Sequence, residues 1–454
     1  MKYQIPRSRN SGINTCLECW DKQQQINRLE EEIKGLKAKL RYREESGQKP
    51  FGSSTPSSRI PVKANSAEEN QAKKGGGKAG HQGHGRKAAS AETANRVQEI
   101  TVEGNCPDCG SQLQRNGQRQ RTVREIRAVE PERILYQLER RQCSGCARIV
   151  QAKAPAVLPR SEIGNQLLSE LIINHYLHGI PLGRLCEKYG LNIGTAIQML
   201  HRVGGIFSGI IPALIQQYRQ SEVRHADETS WRTDGSGGYA WLFTTADLSL
   251  FLYRNTRSAK VAREVLGEEP LEGVLVVDRY NAYNKAPVQL QYCYAHLMRE
   301  VEDLLKEFAD NKEIEAFCST MISLLAEAMH LRAKAITDQQ YYERAKSLKA
   351  EIMAAVNASA THLGIRRIQD IFRNNEHRLY HWVSNRAVPA ENNRAERELR
   401  PTVIARKVSF GSQSEAGAKT REVLQSLIQT IKKRTDNPSR WLKRFSINIA
   451  LIHR

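Results

Sequence analysis

The sequence predicts an α/β protein of several parts, in which a mixed sheet is preceded by helical and cysteine-rich segments and interrupted by helices. Three observations predict it. Residues 221–300 switch to β-rich runs in the order strand, strand, strand, helix, strand. Residues 297–385 carry few strand signals and many Ala, Leu, Glu and Lys, so they read as helices. Two CxxC pairs, Cys106/Cys109 and Cys143/Cys146, mark a small module ahead of both.

Charge frames this arrangement. The 454 residues carry a net charge of +20, with +13 on residues 1–160, −2 on 161–393 and +9 on 394–454. Two basic ends around a near-neutral centre predict two phosphate-contacting regions, and hence a nucleic-acid partner. No run of 18 or more apolar residues is present and the first residues lack an apolar h-region, so neither a membrane span nor a secretory signal is expected. Nine cysteines without secretion signals favour metal binding or burial over disulfides.

The elements follow in order. In residues 1–45, Ile26, Leu29, Ile33, Leu36 and Leu40 form a short a/d seam. It fits self-association and equally a helix packed on its own protein. Residues 46–95, rich in Gly, Ser, Pro, Lys and His, read as a basic linker, and the isolated Cys16/Cys19 pair and His81/His84 are weak metal signals within the first hundred residues. Residues 96–160 read as a zinc module. The 33 residues between its cysteine pairs exceed ordinary ribbon spacing. A hairpin of Thr122–Val129 and Arg133–Gln142 around Glu130-Pro131 would bring the pairs together. Four thiolates leave no open position, so this zinc would be structural.

Residues 161–220 are helical. Pro181–Tyr189, a turn at Leu191–Gly194 and Thr195–Val203 resemble a helix-turn-helix, although the second helix has little basic charge and an ordinary helical hairpin fits as well. In 221–300, strands are expected at Glu222–Ala226, Gly238–Ala246, Leu250–Asn255, Gly273–Val277 and Leu290–Tyr294, with a hairpin turn at Asp234–Gly238 and a helix at Ser258–Leu266. A long helix should start at His296, residues 301–388 should form a helical insertion, and 389–454 should return to the core through helices at Asn392–Lys407 and Glu415–Thr435.

This strand order puts Asp227 at the exit of the first strand and Asp278 at the exit of the fourth, on strands that can be neighbours. Glu396, at a helix start, is the best third acid. Glu228 would point to the opposite face, and Glu391 and Glu398 read as surface residues. Three such carboxylates suit two divalent ions and in-line phosphodiester displacement without a protein nucleophile.

At these residues the sequence resembles the TnpC-type transposases of the insertion sequence 66 family, bacterial DDE transposases. The resemblance covers most of the chain. Its blocks are Lys49-Pro-Phe-Gly-Ser53, Gly80-His-Gln-Gly-His84, the two CxxC pairs, His225-Ala-Asp-Glu-Thr229 and Asp278-Arg-Tyr-Asn-Ala-Tyr283. Further along come Cys293-Tyr-Ala-His-Leu-Met-Arg299, Asn392-Asn-Arg-Ala-Glu-Arg397 and Lys407-Val-Ser-Phe-Gly-Ser412, which runs into Gln413–Gly417. It implies a ribonuclease-H-like catalytic core with a helical insertion before the last acid, and it maps the triad onto Asp227, Asp278 and Glu396, with Mg²⁺ or Mn²⁺ as catalytic metal. It implies structural Zn²⁺ at Cys106, Cys109, Cys143 and Cys146, and DNA binding by the N-terminal region. Cys293, His296 and Asn393 fall in supporting positions, and Arg397, Arg400, Arg406 and Lys407 are candidates for terminal-DNA phosphates.

The expected function is hydrolysis at element 3′ ends followed by strand transfer to target DNA. The alternatives are a catalytically silent DNA-binding regulator or a nuclease without strand transfer. The expected partners are element-end and target DNA, a second copy of the chain or more, and small accessory proteins of the same element, in a bacterial cytoplasm near the nucleoid.

Overall fold

The computed structural model describes residues 131–442 continuously, together with scattered earlier positions. Leu36, Leu40, the Cys16/Cys19 pair, the 46–95 linker, Cys106 and the Thr122–Val129 strand lie outside the described residues. Ile26, Leu29 and Ile33 are helical, with exposed side chains.

The first described strands, β1 (Arg140–Gln142) and β2 (Ile149–Gln151), form an antiparallel hairpin. Among the described residues, only this part of the expected Arg133–Gln142 strand is paired. Its partner lies downstream, because the backbone turns within Cys143–Arg148: the Cys143 N–H donates to Arg148 O, and Ala147 takes a positive φ.

Helices α1 (Asn165–Ile172, extended by a π-turn over Ile173–Leu177), α2 (Leu182–Tyr189), α3 (Ile193–Ile206) and α4 (Ile210–Gln220) follow. The α2–α3 turn differs in detail from the sequence expectation. Gly190, in the left-handed region, ends α2, and the Asn192 side chain caps α3 by accepting from the Gly194 and Thr195 N–H groups. Gly194 is thus inside the second helix rather than the turn glycine.

The sheet contains β3 (Val223–Thr233), β4 (Ser236–Thr244), β5 (Ser249–Arg254), β6 (Val274–Val277) and β7 (Gln289–Tyr292), in the order β5-β4-β3-β6-β7. The first three form an antiparallel meander, and β6 and β7 add in parallel to β3. Helix α5 (Ala259–Leu266) makes the crossover that parallel addition requires. Strand β3 runs to Thr233 and does not stop at Ala226, because β4 continues to pair with it, turning at Asp234 and Gly235, both at positive φ.

Five helices follow: α6 (Tyr294–Glu307), α7 (Lys312–Leu331), α8 (Asp338–Asn357), α9 (Leu363–Asn374) and the short α10 (His381–Ser384). The long helix expected from His296 is α6, which begins two residues earlier at Tyr294. Helix α7 is long and apolar enough to cross a membrane by length and composition alone. Its Ile314, Cys318, Met321, Leu325, Ala328 and Leu331 are buried in the core, as in the core helix of a globular domain. Helices α11 (Asn393–Ser409) and α12 (Glu415–Arg434) complete the fold.

Period-two alternation divides the sheet's side chains between two cores. Ala226, Trp241, Phe243, Leu250, Leu252, Leu275 and Val277 face a large core shared with α4–α10. Trp231, Ala240, Leu242, Phe251 and Tyr253 face Ala395, Leu399 and Ala405 of α11 and Ala418 of α12. A third core joins α1–α3 to Leu424, Leu427, Ile428 and Ile431 of α12.

Candidate active site

The acidic pair follows from register. His225 of β3 is paired in parallel with Val276 of β6. Asp227 lies on β3 two residues past that pair, and Asp278 follows directly on Val277, the last residue of β6, so the two acids come from neighbouring strands just beyond the point where their pairing ends. Asp227 shares its face with Trp231, on the α11 side, and Asp278 is near enough to raise its carboxyl. Asp227 is thus mid-strand rather than at a strand exit; what ends beside it is the pairing with β6.

Glu396 enters from the first turn of α11. Asn392 fixes that entry. Its Nδ2 donates to Ala226 O at 2.8 Å, and its Oδ1 accepts from His225 Nδ1 at 2.9 Å. Burial holds His225 down to about 3, so the ring is neutral. Asn393, the supporting residue expected from sequence, is exposed; its neighbour Asn392 is the buried clamp.

The three acids are electrostatically joined. Burial raises the Asp227 carboxyl well above the usual carboxylate range, and Glu228, Asp278 and Glu396 raise it further. Asp227 Oδ1 accepts the Glu228 N–H at 2.8 Å, which partly offsets this. Burial likewise raises Asp278, against the Tyr280 N–H donating at 3.0 Å and the charges of Arg257 and Arg279. Mutually repelling hard-oxygen donors are the donor set that a divalent cation satisfies. Mg²⁺ or Mn²⁺ therefore fits these residues.

Glu228 lies on the other face, as alternation requires. It is buried, accepts from Tyr283 Oη at 2.6 Å and from Arg257 at 2.6 and 2.9 Å, and is pushed up to about 7 by burial and Asp278. Arg257 also stacks on Tyr280, 3.8 Å from the ring centroid. This buried network braces the loop that follows Asp278, and nothing in the spacing of Arg257 or Tyr283 announced it. Glu398 and Glu391 are not the surface residues expected. Glu398 accepts from Thr244, Ser249 and Lys433 at 2.6–2.9 Å, and Glu391 is half-buried, its carboxyl raised by that burial.

Cys293 caps the N-terminus of α6, and His296 lies in that helix's first turn. Both face Glu396: His296 Nδ1 is 3.8 Å from Glu396 Oε1, and Arg299 is 3.4 Å from Oε2. Cys293 Sγ accepts the Asn392 N–H at 3.1 Å. Burial, with Arg299 and Arg279 adding to it, holds His296 down to about 4, and burial lifts the Cys293 thiol to about 12.

The basic candidates separate. Arg397, Arg400 and Lys407 are exposed on one stripe of α11 with Asn393 and Ile404, at steps of three and four residues. Arg406 turns inward, donating to Thr229 Oγ1 at 3.0 Å and to Ser230 O at 2.7 Å, so it ties α11 to β3. In the cysteine module, Cys143 and Cys146 lie exposed in the β1–β2 turn, where hydrogen bonds from Cys146 and Gly145 lower the Cys143 thiol. Cys109 is exposed beside Ser111, and its partner Cys106 lies outside the described residues.

Residues 160–420 match the family model described as Transposase IS66 family. Over 347 residues the chain is 25% identical to "Uncharacterized protein y4qI" of Sinorhizobium fredii, covering 66% of this chain and 62% of that protein. Over 388 residues it is 24% identical to "Uncharacterized protein y4jD" of the same organism, covering 74% and 73%. The match thus spans less than two thirds of the first of these relatives. The family match takes in more than half of the chain and all three acids, and the protein belongs to the IS66 transposase family.

Proposed function

We propose that this protein is a DDE transposase that hydrolyses phosphodiester bonds at the 3′ ends of its element and joins the freed ends to target DNA. One observation carries the reading: Asp227 of β3 feels the charge of both Asp278, which directly follows its parallel neighbour β6, and Glu396 of α11. The strand order β5-β4-β3-β6-β7, with an antiparallel meander and two parallel additions, supports a ribonuclease-H-like core, and α7–α10 stand as an insertion before the third acid.

Asp227, Asp278 and Glu396 would hold two Mg²⁺ or Mn²⁺ ions, which supply an activated water or hydroxyl and stabilise the leaving oxygen. In the first reaction water adds to phosphorus and the element's 3′ oxygen leaves. In the second, that 3′-hydroxyl adds to a target phosphodiester and expels a target 3′ oxygen. The protein's part is to fix the carboxylates. Asn392 sets the start of α11, and Glu228, Arg257 and Tyr283 brace the loop after Asp278. Arg397, Arg400 and Lys407 present charge to DNA phosphates along α11, and Arg406 holds that helix to the sheet. Cys106, Cys109, Cys143 and Cys146 would bind structural zinc. Joining two ends in one event calls for at least two copies of the chain, and element-borne accessory proteins and a bacterial cytoplasmic setting near the nucleoid belong to the same reading.

The test is cleavage of labelled element-end DNA by purified protein in Mg²⁺ or in EDTA, beside Asp278→Asn. Metal-dependent 3′-end cleavage that the variant loses, followed by joined products, is the expected result. Binding without nicking at any Mg²⁺ concentration would instead make the protein a silent regulator, and cleavage without joined products a nuclease.

A further inference from the structure

Two buried polar atoms face each other beside the acid pair with no hydrogen-bond partner: His296 Nδ1 and Glu396 Oε1. They are 3.8 Å apart, too far for a hydrogen bond and too close for a water between them. An unpaired carboxylate oxygen and an unpaired ring nitrogen in a buried position are each costly. The thiol of Cys293 completes the group, since the candidate ligand atoms of Cys293, His296 and Glu396 all lie within 4.8 Å of one another. Neighbouring ligands of a tetrahedral ion bonded at about 2.0–2.3 Å stand roughly 3.5 Å apart, so the cluster needs only a slight contraction around an ion.

We propose that Cys293 Sγ, His296 Nδ1 and Glu396 Oε1 form a binding site for a thiophilic transition-metal ion of the Zn²⁺ class, adjoining the Mg²⁺ chemistry of the aspartate pair and sharing Glu396 with it. The donor set decides the class. A sulfur and an imidazole nitrogen select zinc-like ions, whereas Mg²⁺ takes oxygen donors in octahedral array. The frame is preset by backbone hydrogen bonds: Cys293 N–H donates to Val277 O, Tyr294 N–H to Ala390 O, and Asn392 N–H to Cys293 Sγ. These bonds tie the starts of α6 and α11 to the end of β6. Three protein ligands leave a fourth position for water or another oxygen ligand. An ion here would fix Glu396 through one oxygen while the carboxylate still bears on Asp227. The site rests on this cluster and not on the transposase mechanism.

The experiment counts metal on the full-length protein without DNA. Wild type, Cys293→Ala, His296→Asn and Cys143→Ser are purified without chelator, and bound metal per chain is measured by mass spectrometry. Near-ultraviolet circular dichroism reports the fold of each. The expected result is loss of about one equivalent of zinc-class metal in both Cys293→Ala and His296→Asn, independent of the loss in Cys143→Ser. Cobalt-loaded wild type should also show a thiolate-to-cobalt absorption component that Cys293→Ala lacks. Should Cys293→Ala fail to fold, His296→Asn decides by the metal count alone. Wild-type metal content in folded His296→Asn, or a cobalt spectrum unchanged by Cys293→Ala, overturns the site. Neither result bears on cleavage, which Asp227→Asn and Asp278→Asn test separately.

Discussion

Ionising Asp227 is opposed by its surroundings, since burial and three neighbouring carboxylates all favour its neutral form. Asp227→Asn removes that opposition. We expect the variant to melt at a higher temperature than wild type in EDTA, while cleavage with Mg²⁺ falls on the order of 10²-fold or more. A lower melting temperature would show that the residue supports the fold rather than the chemistry. Asn392 has the opposite character. Asn392→Ala leaves His225 Nδ1 and Ala226 O without their buried partner, which costs about 1–3 kcal/mol in urea unfolding. An unchanged midpoint would remove it as the clamp of α11. At this scale the sequence was legible where chemistry and alternation coincide: Asp227 comes near Asp278 and Glu396, and Glu228 takes the other face. It was not legible at Asn392, Arg257 and Tyr283. Their partners are tens of residues to more than a hundred and fifty residues away, and residue type alone does not reveal such pairing.

Among the elements, α11 combines two tasks on two faces. Ala395, Leu399 and Ala405 pack on the sheet, while Arg397, Arg400 and Lys407 run along solvent over about 15 Å. A side-chain cation that meets a DNA phosphate releases a counterion, so deleting it weakens the dependence of binding on salt. Arg397→Ala, Arg400→Ala and Lys407→Ala should each reduce the slope of log affinity against log salt by about 1. Arg406→Ala should leave that slope alone and lower thermal stability, because its guanidinium is spent on Thr229 and Ser230. Equal slopes for all four variants would contradict the division of the helix. The strands were found nearly where composition put them, except that β3 runs on to Thr233. Its extension depends on pairing with β4, and pairing is a tertiary event that a run of residue types does not encode.

For the molecule as a whole, the acids link stability to pH and to metal. Glu228 is pushed from 4.5 to about 7, and Asp227 and Asp278 are also raised. Native protein therefore holds protons that the unfolded chain has released. The stability from these groups is complete below their unfolded values and is lost as pH rises towards 7. Thermal melts in EDTA should show this fall, and Glu228→Gln should flatten it. Mg²⁺ should restore more stability at pH 8 than at pH 5, because it binds the ionised acids. An equal gain at both pH values would argue against a metal on these carboxylates. The order of the large parts was readable from composition, but the way α12 binds them together was not. Its Glu422, Gln425, Ser426 and Thr430 are polar by type yet buried, satisfied by β5, Thr402 and Arg254.

That burial of α12 sets a timetable. Leu424, Leu427, Ile428 and Ile431 close the core of α1–α3, while Ser426 and Thr430 bond to the backbone of β5. The ribosome delivers this helix after every strand of the sheet and after all three acids. Until it emerges, the early helices expose an uncovered apolar face and the outer strand of the meander lacks its cover. A chain cut short before residue 415 would hold Asp227, Asp278 and Glu396 and still lack the element that joins its two halves. Premature termination would therefore yield a fragment for proteases rather than a stable fold around the three acids.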